Sequence, residues 1–288
     1  MTYNEPAYAK LNLTLDILGR RGDGYHDLKM VMHSIDLCDT VSLTPRDDSD
    51  LVLSCDAAFL PCDESNIAAK AANRFFEAAG LPRKGAAIQL EKRIPVCAGM
   101  AGGSSDGAAV LRLLRKIHAS EMPQAELERI AALVGSDVPY CVRGGTALAE
   151  GRGEILSDLP PLPDCFFVIC KPPFPISTPE LFAQVRTKKL RCHPDTEGMI
   201  RALHERDLAG VAHRVYNVFE DVLPRKFTQV FEIKSKLLDL GAMTASMTGS
   251  GPTVFGIFCD EDKAQNAAAQ LKKEYDATYL CKNANKVV

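Results

Sequence analysis

The chain has 288 residues, 46% hydrophobic and 25% charged, with a net charge of −3, enough for two modest domains around ordinary cores. Both signs are interspersed and no basic footprint forms, which excludes nucleic acid or an anionic membrane as a main partner. The first residues lack a basic segment followed by an apolar core, and no run nears the roughly 20 apolar residues of a membrane span, so a cytoplasmic location is expected.

Residues 9–18 alternate, with Leu11, Leu13, Leu15 and Ile17 on one face and Lys10, Asn12, Thr14 and Asp16 on the other, which predicts a half-buried strand. For an isolated strand that polar face is a solvated one. Residues 19–24 read as a hairpin turn and 29–44 as further strand. Tyr25 and His26, beyond the turn, offer a stacking ring beside a hydrogen-bonding ring, a pair suited to a pyrimidine. A short strand at 51–55 and a helix over 66–79 follow, the helix capped by Asn66 and stopped by Gly80. Residues 85–94 alternate as a strand.

That strand delivers the chain to Pro95, Val96, Cys97, Ala98, Gly99, Met100, Ala101, Gly102, Gly103, Ser104 and Ser105, a run of small residues. Gly99, Gly102 and Gly103 allow sharp turns and positive φ, so several N–H groups can approach one ligand. Ser104, Ser105 and Asp106 are N-cap candidates for a helix marked by Val110, Leu111, Leu114 and Ile117. A helix N-terminus in a glycine loop is a phosphate site. Neither a P-loop nor a dinucleotide fingerprint fits, since no Gly-x-x-x-x-Gly-Lys-Ser/Thr occurs and Ala101 stands where the second glycine of a Rossmann loop belongs. The ten cysteines are scattered without Cys-x-x-Cys pairs and are expected to be mostly buried small hydrophobes. Cys97 is read as a passive filler, because no histidine neighbours it in sequence to act as its base.

A helix introduced by Pro123 ends at Gly135, and Asp137 follows on a turn before Pro139. Asp137 is either an ordinary turn residue or a carboxylate held to accept a hydroxyl proton. Strands near 144–150 and 154–156 close the first half. The proline-rich stretch 159–163 is a linker, dividing the chain into 1–160 and 161–288. In the second half, 165–171 is a buried strand and 172–179 an extended loop leading to Phe182, a core residue of the next helix by default. Helices near 197–205 and 225–240, a strand at 243–247, a second glycine turn at 248–253, a strand to 259, a helix over 261–274 and a strand at 277–281 complete an α+β half.

The glycine loop resembles that of the GHMP small-molecule kinases. Ala9-Lys10-Leu11-Asn12-Leu13, Gly22-Asp23-Gly24-Tyr25-His26, Gly135-Ser136-Asp137-Val138-Pro139 and Thr248-Gly249-Ser250-Gly251-Pro252-Thr253 extend the likeness over most of the chain. They resemble the branch that phosphorylates a cytidine-diphosphate-bearing alcohol in non-mevalonate isoprenoid synthesis. The resemblance implies a two-lobed α+β fold with both substrates in the cleft, and ATP with Mg²⁺ as phosphoryl donor. It implies Lys10 and Asp137 as catalytic groups, the 95–105 loop and Asn66 at the nucleotide, and Asn12, Tyr25, His26, Phe182 and Thr248 at the alcohol. Phe182 is expected to stack with Tyr25 around cytosine. Metal ligands stay unassigned, and a monomer or weak dimer is expected. Two readings stay open beside this one: a kinase of the superfamily for homoserine or a mevalonate derivative, and a nucleotide-binding module without catalysis. Cys97 and Ala101 stand where glycine is common in the family.

Overall fold

The structure, a computed structural model, describes residues 1–185 and 190–284. It begins with a long antiparallel pair, β1 (Tyr3–Arg20) and β2 (His26–Arg46), joined by residues 21–25; Gly19 and Arg20, expected in the turn, are still paired strand. The register of β1 with β2 slips between Tyr8 and Lys10, where Ala9 faces three residues of β2, and again between Asn12 and Thr14 and between Ile17 and Gly19, where β1 carries one extra residue. A bulge puts two residues opposite one, so side chains beyond it exchange faces. Ala9, Leu11 and Leu13 share one hydrophobic cluster, whereas Leu15 and Ile17, beyond the extra residue Leu13, belong to another together with Ala7. The single apolar face predicted for β1 is thus split. The predicted solvated face is corrected too, since Lys10, Asn12, Thr14 and Asp16 are all buried.

β3 (Leu51–Cys55), α1 (Ile67–Ala78) and β4 (Gly85–Glu91) lead to α2 (Gly102–His118), which lies against α1 and β1. α3 (Gln124–Ala132) and α4 (Val138–Arg143) come before the hairpin β5 (Thr146–Gly151) and β6 (Ile155–Asp158). α4 occupies what the spacing predicts as a turn; proline is tolerated in a first helical turn, where its missing N–H has no partner to lose. After the proline-rich segment come β7 (Phe166–Cys170), α5 (Thr178–Gln184), α6 (Thr196–His204) and α7 (Leu208–Arg214). The two-residue β8 (Tyr216–Asn217) and a 3₁₀ turn, Val218–Val222, precede α8 (Thr228–Asp239). β9 (Thr244–Met247), β10 (Val254–Phe258), α9 (Glu261–Lys272) and β11 (Thr278–Lys282) finish the described chain. Residues 285–288 of the second half lie outside the described residues.

Two sheets result. The first orders β3-β4-β2-β1-β8, with β5 on β2 and β6 on β5; the second orders β11-β7-β10-β9. Alternation in the second sheet makes it two-sided. Phe167, Ile169, Phe255 and Ile257 meet Leu11, Leu13 and Val31 of the first sheet, while Val168, Cys170, Val254 and Phe258 join the cluster that includes Ile233 and Leu237 of α8 and Ala264 of α9. Strand β8 crosses back to pair with β1 in parallel, through Thr14 with Tyr216 and Leu15 with Asn217. The Asn217 amide donates to the carbonyls of Met247 (2.7 Å) and Gly249 (2.8 Å), which ties β1 to the second glycine turn.

All ten cysteines are free thiols, but the expectation that most are buried is corrected: Cys141, Cys165, Cys170 and Cys281 are, whereas Cys62, Cys97, Cys192 and Cys259 are exposed. Among the described residues no helix is long and apolar enough to cross a membrane.

Candidate active site

The loop between β4 and α2 is built differently from the glycine count. Helix α2 starts at Gly102, with Ala101 as its cap in the left-handed region (φ 58°), so the three N-cap candidates fall inside the first two turns. Positive φ occurs at Cys97 (53°), Gly99 (72°) and Ala101, and not at Gly102 or Gly103. Those two glycines serve by lacking a side chain: a Cβ on Gly102 would lie 3.1 Å from Ile94 Cγ2, and one on Gly103 3.2 Å from Ile67 Cδ1. Gly99 needs both freedoms, since a Cβ there would come within 2.3 Å of the Thr248 carbonyl. The two glycine turns, from opposite ends of the chain, thus pack backbone against backbone.

The first N–H groups of a helix have no carbonyl partner within it, and they carry the positive end of its dipole. Here they open onto a cavity of about 490 Å³ lined by every residue from Pro95 to Ser104, with Asn66, Ile67 and Lys92 around it. Asn66 stands at its edge, held by a bond from its amide to the Pro61 carbonyl (2.8 Å) while its Oδ1 caps Ala68 N–H (2.9 Å). Ser105 is turned away: it is buried, and its hydroxyl donates to the Tyr8 carbonyl at 2.6 Å.

Lys10 and Asn12 lie between the first two register slips of β1. The Lys10 ammonium donates to Asn12 Oδ1 at 2.6 Å, the Asn12 backbone N–H donates to Thr248 Oγ1 at 3.1 Å, and the Asn12 amide reaches Met30 Sδ at 3.4 Å. Lys10 is only 4% exposed, and among the described residues no carboxylate pairs with it. A buried ammonium without a counter-charge costs several kcal/mol, so the geometry calls for an anion from outside. Lys10, Asn12, Cys97, Gly99 and Asp137 border a second cavity of about 400 Å³ that continues the first. Asp137 is half-buried at the N-terminus of α4, where its side chain caps nothing. Among the described residues its carboxylate has no hydrogen-bond or ion-pair partner, which leaves both oxygens free to accept.

Asp137 also borders a third and wider cavity, about 790 Å³, together with Tyr25, His26, Arg152 and Phe182. Phe182 stacks on His26, with centroids 4.9 Å apart and planes 23° from parallel, and meets Phe219 edge-on. Its ring partner here is His26 rather than Tyr25, which is 55% exposed and carries the Arg152 guanidinium 5.0 Å above its ring. Burial, and then the positive charge of Arg20, hold the His26 pKa below the usual histidine value. The ring is therefore neutral near pH 7, with one nitrogen to donate and one to accept. The Thr178 hydroxyl lies 2.6 Å from Ser250 Oγ and borders all three spaces.

Lys92, Asp106, Arg152 and Thr178 are absent from the sequence-based site. Lys92 and Asp106 bracket the glycine loop, and charges at both ends of a neutral run were the available signal; Arg152 and Thr178 had none.

The GHMP kinases N terminal domain profile matches residues 66–145, and the GHMP kinases C terminal profile matches residues 199–277. A glycine loop at a helix N-terminus, beside a buried lysine and a free carboxylate, together with these matches defines a small-molecule kinase of the GHMP class. The 4-diphosphocytidyl-2-C-methyl-D-erythritol kinase of Clostridium tetani is 43% identical over 96% of this chain and 98% of its own length. That of Clostridium kluyveri is 40% identical over 95% and 97%. A crystal structure of 4-(cytidine 5'-diphospho)-2C-methyl-D-erythritol kinase superposes with a TM-score of 0.83 at 32% identity, over 98% of this chain and 100% of the other. Homoserine kinase from Cytophaga hutchinsonii (TM-score 0.76, 18% identity, 99% and 95% covered) shares the fold. The chain belongs to the 4-diphosphocytidyl-2-C-methyl-D-erythritol kinase family of GHMP kinases.

Proposed function

We propose that the protein transfers the γ-phosphoryl group of ATP to the 2-hydroxyl of 4-diphosphocytidyl-2-C-methyl-D-erythritol, a step of non-mevalonate isoprenoid biosynthesis. The observation that carries this reading is Lys10, a buried ammonium lacking a counter-charge where the nucleotide cavity meets the one bordered by Asp137. Phosphoryl transfer leaves a protein mainly positioning and charge neutralisation to supply. The free N–H groups of Gly102, Gly103 and Ser104 hold phosphate oxygens, and Lys10 neutralises charge on the migrating group. Asn12, fixed by Thr248, aims the Lys10 ammonium. Asp137 takes the hydroxyl proton, a role open to a carboxylate whose oxygens are unoccupied. Tyr25, His26 and Phe182 hold the cytosine by stacking and by the neutral imidazole's hydrogen bonds.

Among the described residues no group of three or more His, Cys, Asp or Glu side chains is arranged to hold a metal. A Mg²⁺ ion carried in on the nucleotide's phosphates would supply charge neutralisation there. Residues 1–160 are assigned to the nucleotide half and 161–288 to the other. A small-molecule substrate asks for no more than a monomer or weak dimer in the cytoplasm.

The test is ADP release with 4-diphosphocytidyl-2-C-methyl-D-erythritol, homoserine and mevalonate supplied in parallel. Turnover of the first alone is expected. Preference for either of the others would reject the cytidine assignment.

A further inference from the structure

Beneath the loop lies a buried cluster that the reaction scheme above leaves unused. Lys92, just after β4, donates its ammonium to both Asp39 of β2 and Asp106, the fifth residue of α2. All three side chains are buried: 0% exposed for Asp39, 4% for Asp106 and 7% for Lys92. Asp39 is fully occupied, since its second oxygen accepts the N–H groups of Arg93 (2.5 Å) and Ile94 (2.7 Å). Asp106 is not, because its Oδ1 is buried and has no hydrogen-bond partner. Lys92 and Asp106 both border the nucleotide cavity, and the Lys92 ammonium would sit 3.7 Å from a Cβ placed on Gly102.

Two carboxylates and one ammonium, all ionised, leave a net charge of −1 buried under the loop that must receive a polyanion. We propose that Asp106 takes up one proton from solvent when a nucleotide enters the loop cavity, so that a neutral cluster, not a negative one, supports the phosphates. The inference rests on nucleotide occupancy of that cavity. Only an O–H bond forms, and the orphan oxygen of Asp106 is where the proton has room. Protonation also relieves the repulsion between two carboxylates that share one cation. Burial, opposed by Lys92 and reinforced by Asp39, already pushes Asp106 up to about 7, within reach of a phosphate's added negative charge. Burial pulls Lys92 down, but Asp106 and Asp39 outweigh it and hold the lysine above its usual value, so Lys92 stays charged.

The other surroundings are apolar, backbone, ion-paired or a buried thiol. From α1, Ile67 and Ala71 face the glycines of α2. From β1 come the Tyr8 carbonyl, bonded to Ser105, and Glu5, paired with Arg112. From α4 comes Cys141, whose thiol burial pushes up to about 12. Asp106 is thus a positioning residue that acts on the nucleotide through the loop and Lys92. Because the bound state holds the extra proton, nucleotide affinity falls as pH rises, by up to about tenfold per pH unit above the free-state value.

The experiment is calorimetric titration of Mg²⁺–ADP into the whole protein, and into Asp106→Asn, in buffers of different ionisation enthalpy near pH 7.5. The dependence of heat on buffer counts the protons taken up, and the difference between the two proteins cancels ADP's own ionisation. We expect the parent to take up a large fraction of one proton more than the variant, and its Kd to rise with pH where the variant's stays flatter. Asp39→Asn, which leaves Asp106 a lysine to itself, is expected to abolish the extra uptake as well and serves if Asp106→Asn does not fold. Equal uptake by parent and variant would overturn the proposal while leaving the nucleotide site intact. Failure of ADP to bind the parent at all would overturn the nucleotide assignment and the proposal with it.

Discussion

The glycine-loop end of the cleft and the ring end are made of different material. The first is largely one continuous stretch, Pro95 to Ser104, that offers backbone N–H groups and missing side chains. The second gathers Tyr25 and His26, Asp137, Arg152 and Phe182 from four distant segments, and acts through side chains. A backbone cradle tolerates changes in chemistry but not an added Cβ where two backbones touch. A side-chain site responds in the opposite way, with each ring worth a measurable amount and none indispensable to the fold. Asp137 borders both the ring cavity and the central one.

Asp137→Asn should therefore give the largest effect. It keeps the size and the start of α4 but removes the charge and basicity, so kcat is expected to fall by about 10²-fold or more, with both KM values little changed. Steady-state kinetics with each substrate varied would check this; a rise in KM at constant kcat would move Asp137 from chemistry to binding. The ring end comes next. Phe182→Ala and Tyr25→Ala should each raise KM for the cytidine alcohol by the roughly 1–3 kcal/mol that base stacking supplies, with ATP affinity unchanged. The contrast between the two ends fails if either variant weakens ATP as much as the alcohol. At the loop end, Gly99→Ala should cost roughly 1–2 kcal/mol for its left-handed backbone, with the contact at the Thr248 carbonyl added. ATP affinity is then expected to fall by about tenfold, as measured by calorimetry. Gly103→Val should do less, because it meets the movable end of Ile67 at 3.2 Å.

The same contrast governs what can be read without coordinates. The glycine loop, the helix that follows it and the strand that delivers it are local in sequence, so spacing alone predicts their order. Even there the start of α2 lies at least three residues earlier than the serine caps suggest, because Ala101 adopts a left-handed cap that residue type does not announce. Strand β1 defeats period-two reading for a clear reason: Leu13 is an extra residue that reverses the face between Asn12 and Thr14, and nothing in the alternation of Leu11, Leu13, Leu15 and Ile17 marks it. The burial of Lys10 follows from what packs over β1, including a turn 236 residues away in sequence from Asn12. Asp39 and Lys92 are 53 residues apart, so the buried cluster exists only once β2 and β4 pair. Helix α4 and strand β8 are too short to produce a period of their own.

The central claim is that the nucleotide and the alcohol meet over Lys10 and Asp137, so that the phosphoryl group passes directly from one to the other. Stereochemistry at phosphorus tests this most directly. With ATP made chiral at its γ-phosphorus by oxygen isotopes, a single in-line transfer predicts inversion of configuration in the phosphorylated alcohol. Retention would require two displacements through a phosphorylated side chain. Cys97, the thiol that borders both the nucleotide cavity and the central one, would then be the first candidate, and direct transfer would be contradicted.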